Sequence, residues 1–227
     1  MGINIKGIDA PVLADFGPDE HPAAKPKITP RAADGSDNGW PSGDDSAGNG
    51  MEGLPGDQGF FGQSGLNGGS TPPNINIHIT TFIDGFFDVL VRGGNGARGQ
   101  KGSIGGGGGE GQDGGNGNGD VPAGFGGVGG RGGKGGTGGS GGNGGNASNI
   151  NLYIENPEDI NLSNVRVEFS QGFKGGKGPG GRGGPGGLGG RRGENGDRST
   201  SGGEGPEGDA GGSAGVDGNA GNLDIWV

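Results

Sequence analysis

Residues 126–145 read GGVGGRGGKGGTGGSGGNGG, a repeat in which two positions of every triplet are glycine. A strict period of three indicates a backbone that turns once every three residues, as polyproline II does. Such a strand forms no internal hydrogen bonds, so its donors and acceptors must pair with neighbouring strands. The stretch therefore predicts a polyglycine II helix that packs against others of its kind.

The same period of three occurs in five stretches, which we call runs 1 to 5. Their glycine frames cover residues 50–68, 93–117, 126–144, 172–196 and 202–221, the last with a slip after Gly211. Residues 105–109 are glycine on every edge and are predicted to be the most enclosed. The glycines predicted to be structural, because neighbouring backbones press against them, are Gly93, Gly96, Gly99, Gly102, Gly105, Gly108, Gly126, Gly129, Gly132, Gly175, Gly178, Gly181 and Gly184.

The composition rules out several ordinary kinds of protein. Glycine supplies 69 of 227 residues and hydrophobic residues only 25%, which is too few for a conventional side-chain core. The formal net charge of −10 argues against nucleic acid as a partner. There is no cysteine for a disulfide or a thiolate metal site, and no apolar stretch long enough to insert into a membrane. We expect synthesis in a cytoplasm.

Glycine-rich, charged sequence is also typical of flexible linkers, so disorder is the simplest alternative. The strict phase of the glycines argues against it, because an unconstrained linker has no reason to keep frame. A collagen trimer is a second alternative, yet the chain has only 14 prolines and its short turns reverse the runs.

Short segments between the runs alternate polar and apolar residues, the period-2 signature of strands with one buried face. The long ones are 74–79, where His78 takes a polar-facing position, and 149–154. Residues 87–91 and 165–169 are predicted as second strands that lead into runs 2 and 4, and 3–5 and 223–227 repeat the pattern more briefly.

Turn sequences at 118–125 and 197–201 separate runs 2 and 3 and runs 4 and 5. The predicted fold is mostly irregular plus β, without notable α-helix: an antiparallel polyglycine II bundle of about five helices, with short strands at one end and these turns at the other. Residues 50–227 form this bundle, with internal repeats at about 71–145 and 146–227. Residues 1–49, proline-rich and without fixed period, are predicted to be an extended attachment arm.

No motif for catalysis or cofactor binding stands out from the composition. Residues 94–99 fit GxGxxG, but no amphipathic helix follows, and 108–113 match the start of a calcium nonapeptide without tandem copies. We therefore expect no catalytic, cofactor or metal site and no enzymatic activity.

The passage from Asn74 to Gly96, with its strand-to-glycine junction, resembles the glycine-rich domains of phage tail fibres and the tip adhesins of T-even-like phages. The resemblance covers about two thirds of the chain, from about Gly50 onward. It implies parallel strands feeding a polyglycine II bundle, whose tip loops recognise the bacterial surface.

By this resemblance the chain is expected to be a virion protein, attached to other virion proteins through its N-terminal arm or strand end. Its tip would contact a host surface glycan or outer-membrane protein. The candidate contact residues are Trp40, Val121, Phe125, Arg198, Ser199 and Thr200, each of which also has an ordinary role in a turn.

The sequence is compatible with two other functions. The chain could be a purely architectural subunit of a tail, a filament or an extracellular surface layer. Ice binding is a lesser alternative, because snow flea antifreeze proteins are similar glycine-triplet bundles. That function needs a flat, uncharged face, which Arg131, Lys134, Arg182 and Arg191 interrupt.

Overall fold

The computed structural model describes residues 2–38, 43–80, 85–194 and 196–227, and the predicted strands are present in it. The described residues contain no α-helix, as predicted, and two short 3-10 turns, Pro157–Asp159 and Leu162–Asn164, connect the fourth strand to the fifth. The six strands are β1 (Gly2–Lys6), β2 (Asn74–Ile79), β3 (Phe87–Arg92), β4 (Asn149–Ile154), β5 (Val165–Ser170) and β6 (Leu223–Trp226).

The strands form two parallel three-stranded sheets, in the orders β1-β3-β5 and β2-β4-β6. Their alternating apolar side chains meet in one small hydrophobic core that draws on both sheets. Val91 of β3 and Ile150 of β4 are fully buried there, while His78 faces outward as predicted. Among the described residues this hydrophobic cluster lies at the strand end of the molecule, and its small size is expected from so few hydrophobic residues.

Each sheet continues into a layer of three extended segments. Layer 1 consists of the N-terminal segment 7–36, run 2 and run 4, which follow β1, β3 and β5. Layer 2 consists of runs 1, 3 and 5, which lead into β2, β4 and β6. Layer 1 therefore runs away from the sheets and layer 2 runs back toward them.

Neighbouring runs within a layer are parallel and are joined by a backbone hydrogen bond at every third residue. In layer 2, Gly53 donates to Val128 O at 2.8 Å and Gly132 donates to Gly203 O at 2.9 Å. In layer 1, Gly96 of run 2 donates to Phe173 O of run 4 at 2.8 Å. The antiparallel relation that we predicted between runs is found between the layers and not within them.

The two layers are joined by a second set of backbone hydrogen bonds. Gly133 of run 3 donates to Gly106 O of run 2 at 2.8 Å, and Gly184 of run 4 donates to Gly133 O at 2.8 Å. Run 3 thus has partners in runs 1, 2, 4 and 5. These lateral bonds provide the partners that a strand without internal hydrogen bonds requires.

Close approach of backbones explains the glycine frame. A Cβ placed on any of the thirteen predicted structural glycines would lie under 3.0 Å from a carbonyl oxygen of a neighbouring segment, which real Cβ atoms do not tolerate. Residues 105–109 are all buried, as predicted. Gly107 faces away from layer 2, but Ala24 of the N-terminal segment and Pro185 of run 4 cover it.

The slip in run 5 is absorbed locally. Gly211 donates to Gly178 O at 2.8 Å, and the next such donor is Gly215, which pairs with Gly175 O at 3.1 Å. The chain bends at Gly212, where the additional residue lies. The same three-residue spacing of bonds then resumes up to Gly218.

The N-terminal segment lies along run 2 and forms the edge of layer 1. Ala10 donates to Asn95 O at 2.8 Å, and Gly35 donates to Asn116 O at 2.8 Å near the far end of run 2. Two buried glutamines of run 2 join it to run 1. Gln100 accepts from Gln63 N at 2.9 Å and donates to Ala14 O at 2.7 Å, and Gln112 bridges Met51 N and Pro30 O in the same way.

Candidate binding site at the turn end

The turns at 118–125 and 197–201 lie side by side at the end of the molecule away from the sheets. Gly193 donates to Gly124 O at 3.0 Å, and Arg192 Nε donates to Ala123 O at 3.3 Å, so the end of run 4, just before the second turn, is fixed to the first turn. The sequence predicted that the two turns share an end, and the hydrogen bonds confirm it.

The candidate contact residues differ in how much surface they present. Phe125 is 64% exposed, Arg198 and Thr200 are exposed, and Ser199 is half-buried. Val121 is only 8% exposed, because its turn closes on Asn118 and its side chain packs against Gly35 of the N-terminal segment. Trp40 lies outside the described residues.

An open cleft of about 360 Å³ lies between the two turns. It combines one aromatic ring, two guanidinium groups, a hydroxyl and a carboxylate. Its lining residues are Phe125, Gly126, Arg192, Gly196, Asp197, Arg198 and Ser199. Three of the sequence candidates, Phe125, Arg198 and Ser199, are therefore brought together in one place.

Arg192 forms the boundary between this cleft and a second depression of about 450 Å³ beside the first turn. Its guanidinium carbon lies 5.0 Å from the centre of the Phe125 ring, within the range of a cation–π contact. Its backbone N–H donates to Asp197 O at 2.9 Å, which ties the residue to its own turn. Arg192 is thus held at both ends beside an exposed ring.

Arg198 is positioned by contacts from deeper in the bundle. Its Nη1 donates to Gly189 O at 2.8 Å and lies 3.5 Å from Glu110 Oε1 of run 2. Glu110 in turn lies 3.8 Å from Lys27 Nζ of the N-terminal segment. A chain of charges therefore connects the N-terminal segment to the floor of the cleft.

Lys27 also pairs with Asp113, at 2.6 Å. Burial opposes ionisation of Asp113, but hydrogen bonds from Lys27 and from the backbone N–H of Arg191 outweigh it and lower the pKa of that carboxyl. Asp113 thus stays charged at neutral pH and anchors the N-terminal segment beside the second turn.

Arg192 and Lys27 were not among the contact residues predicted from the sequence. A signal for Arg192 was available, because the Arg191-Arg192 pair ends the last regular triplets of run 4, directly before a predicted turn. No local signal marks Lys27, whose partners Glu110 and Asp113 lie more than eighty residues away in run 2.

The opposite end of the molecule carries a row of aromatic side chains on the outer face of sheet β2-β4-β6. The rings of His78 and Tyr153 stack with centroids 4.6 Å apart, and those of Tyr153 and Trp226 at 6.3 Å. Trp226, at the sheet edge, is 56% exposed. Beside the row, Asn151 donates to Asn76 Oδ1 at 2.9 Å, which joins the polar faces of β2 and β4.

Two absences apply to the part of the chain that the structure describes. No three or more His, Cys, Asp or Glu side chains there come together in a group that could hold a metal ion. None of its helices has the length and apolar character needed to cross a membrane.

Comparisons with known proteins give little guidance. No family model matches the chain, and no curated protein matches it. One solved structure, an antifreeze protein from the springtail Granisotoma rainieri, is described as a bundle of nine polyproline type II helices whose crystal waters match the ice lattice. It is 24% identical over 76% of this chain and 96% of its own, with a TM-score of 0.11. At that TM-score the similarity indicates neither the fold nor the function of this chain.

Proposed function

We propose that runs 1 to 5 are polyglycine II helices, with the N-terminal segment as a sixth extended strand at the side of the bundle. Successive residues of one run bond in different directions: Gly132 donates to run 5, Gly133 donates to run 2, and Arg131 O accepts from run 1. Three directions in three residues are what a helix with three residues per turn produces. At about 3.1 Å per residue, a run of 22 residues spans about 70 Å.

On this scaffold we propose a non-enzymatic structural and binding protein, a tail-fibre or tail-tip component of a phage virion that presents loops to the host surface. The observation that carries the proposal is the pair of turns at the end opposite the sheets, where Phe125, Arg198 and Ser199 line one open cleft. Rigid segments that hold exposed turns at one end are suited to recognition.

The strand end is the proposed attachment point to other virion proteins. The ring stack that ends in the exposed Trp226 provides an apolar, aromatic surface of the kind enriched at protein interfaces. The N-terminal segment is the less favoured attachment point, because its described residues are hydrogen-bonded to run 2. The proposed location is the virion, after synthesis in the host cytoplasm.

Binding of the labelled full chain to a panel of bacterial cells tests host recognition. We expect saturable binding to some strains, and a loss of binding when Phe125 is changed to Ala. Lys177→Gln, an exposed change in run 4, serves as the control and should bind normally.

The alternative is a purely architectural subunit of a tail, a filament or an extracellular surface layer, and the exposed aromatic row at the strand end favours it as a second candidate. If the chain binds no cells but is incorporated into a particle or filament through Trp226, the architectural function replaces host recognition.

A further inference from the structure

We propose that the cleft between the two turns binds a sugar ring that carries a carboxylate, such as a uronic or sialic acid unit of a surface glycan. This inference rests on the proposed host recognition and specifies its ligand. It follows from the combination of an exposed ring, two guanidinium groups and two oxygen-bearing side chains in one cleft.

The size and shape of the cleft suit one sugar unit. Its volume of about 360 Å³ is at the lower end of ligand pockets, and it opens to solvent where a longer glycan would continue. The Phe125 ring remains 64% exposed even with Arg192 beside it. An exposed apolar ring at the rim can pack against the C–H groups of a pyranose.

The two arginines supply donors for a carboxylate. A guanidinium has five N–H donors, of which Arg192 uses one at Nε on Ala123 O. Arg198 directs its Nη1 at Gly189 O and Glu110, and these contacts fix the side chain beside the cleft. The remaining N–H groups match the planar, two-oxygen geometry of a carboxylate.

The acidic residue in the cleft favours a sugar acid over phosphate. Asp197 lines the same space as Arg192 and Arg198, so the local charge is only slightly positive. A singly charged carboxylate is accommodated there, and sugar hydroxyls can donate to Asp197 and bond with Ser199. A doubly charged phosphate meets stronger repulsion from the Asp197 carboxylate and has no C–H groups to pack against Phe125.

The test is a titration of the full chain with glucuronic acid, N-acetylneuraminic acid, glucose and inorganic phosphate, followed by NMR. We expect one or both acids to shift the amide signals of the two turns. The acids should bind at least about tenfold more tightly than glucose or phosphate, which is the difference that one charge-assisted hydrogen bond makes. Equal binding of glucose overturns the requirement for an anion. Stronger binding of phosphate overturns the choice of a sugar acid, and no shift with either acid overturns the proposal.

Variants assign the binding to the cleft. Arg192→Gln should weaken binding of the acid about tenfold or more, because the charged fork is lost while the side chain keeps its length. Phe125→Ala should weaken binding of the acid and of glucose alike, because packing of a sugar ring on Phe125 does not depend on charge. Lys177→Gln, exposed in run 4, should change neither. Unchanged binding in Arg192→Gln overturns the proposal, and amide spectra of each variant verify that the turns keep their structure.

Cell binding separates this inference from the proposed function. If Arg192→Gln abolishes binding of the acid but cells are bound as before, the sugar is not the receptor group and the inference fails while host recognition stands. If the acid binds the cleft but no cell is bound, the cleft assignment stands and host recognition fails.

Discussion

Asn95 Oδ1 accepts a hydrogen bond of 2.9 Å from the backbone N–H of Phe173, the residue beside it in the neighbouring run. The same relation recurs at several positions on both outer surfaces, where an outward N–H has no further strand to bond. Asp and Asn side chains serve as the acceptors: Asp9 for Asn95, Asp15 for Lys101, Asp34 for Asn116, Asn67 for Asn143, Asn116 for Glu194, and Asn143 for Val216.

Removal of one such acceptor should cost about 1 kcal/mol of unfolding free energy, the net value of a typical hydrogen bond. Asn143→Ala is a suitable change, because Asn143 Oδ1 accepts from Val216 N at 2.9 Å. Thr137→Ala, in the same run and six residues before it, is the control and should cost clearly less. Chemical denaturation of both variants measures the difference, and equal losses would show that the side-chain acceptors contribute nothing.

A side chain at a glycine between the layers should be much more harmful than one on the surface. A Cβ on Gly105 would lie under 3.0 Å from Gly133 O, whereas a Cβ on Gly176 would meet nothing within 4 Å. We expect Gly105→Ala to destabilise by about 3 kcal/mol or more, since backbone must move. Gly176→Ala should be neutral or stabilising by up to about 1 kcal/mol, because it restricts the unfolded chain.

Thermal unfolding of these two variants checks the glycine prediction. Similar unfolding temperatures for Gly105→Ala and the unchanged chain would contradict the close packing of runs 2 and 3.

Acid should loosen the N-terminal segment. Backbone N–H groups of Asn95, Lys101 and Asn116 donate to Asp9, Asp15 and Asp34, and these bonds, with ion pairs to Lys6, Arg98 and Arg31, lower the pKa of all three carboxyls. A lowered pKa in the folded state means that the ionised form stabilises the attachment. This contribution is complete above the ordinary pKa of Asp, about 4, and is lost as the pH falls through the lowered values.

Backbone order parameters of residues 7–36, measured by NMR between neutral pH and about pH 2, test this acid response. We expect them to fall at the acid end, before those of run 3. In the triple variant Asp9→Asn, Asp15→Asn and Asp34→Asn the carboxamide oxygens still accept the bonds, so the pH dependence should largely disappear. An unchanged profile in that variant would assign the response to other groups.

The buried glutamines should be needed to hold the N-terminal segment. Gln100→Leu removes the acceptor of Gln63 N and the donor to Ala14 O, so two polar groups lose their partner at a cost of about 1–3 kcal/mol each if they remain buried. We expect faster proteolysis within residues 7–36. Ile104→Leu, on the outward side of the same run, should leave cleavage unchanged.

The strands and the spacing of the runs were predictable because both are local patterns. Alternation in 74–79 and 149–154 defines β2 and β4 without knowledge of any partner. The arrangement into parallel layers was not predictable, because the glycine edges of different runs are chemically alike and either direction satisfies their hydrogen bonds.

The site was predictable only in part, for a similar reason. Phe125 and Val121 belong to one turn, and the sequence gives no basis to separate them. Their difference in burial comes from Gly35, whose position depends on the long-range bond to Asn116 O. The proline-rich segment 7–36 likewise has no period of its own, and its path is set by partners such as Gln100 and Gln112 in run 2.

The bend at Gly212 shows which insertions and deletions this architecture tolerates. Run 5 has partners only in runs 3 and 4 among the described segments, and there one surplus residue protrudes without disturbing its neighbours. In run 3, with partners on four sides, deleting a single codon would rotate every later side chain by about 120° and direct Arg131 or Lys134 into a backbone. Insertions and deletions in the inner runs should therefore come in multiples of nine nucleotides, with matching changes in the paired runs. Such proteins would lengthen or shorten in steps of about 9 Å.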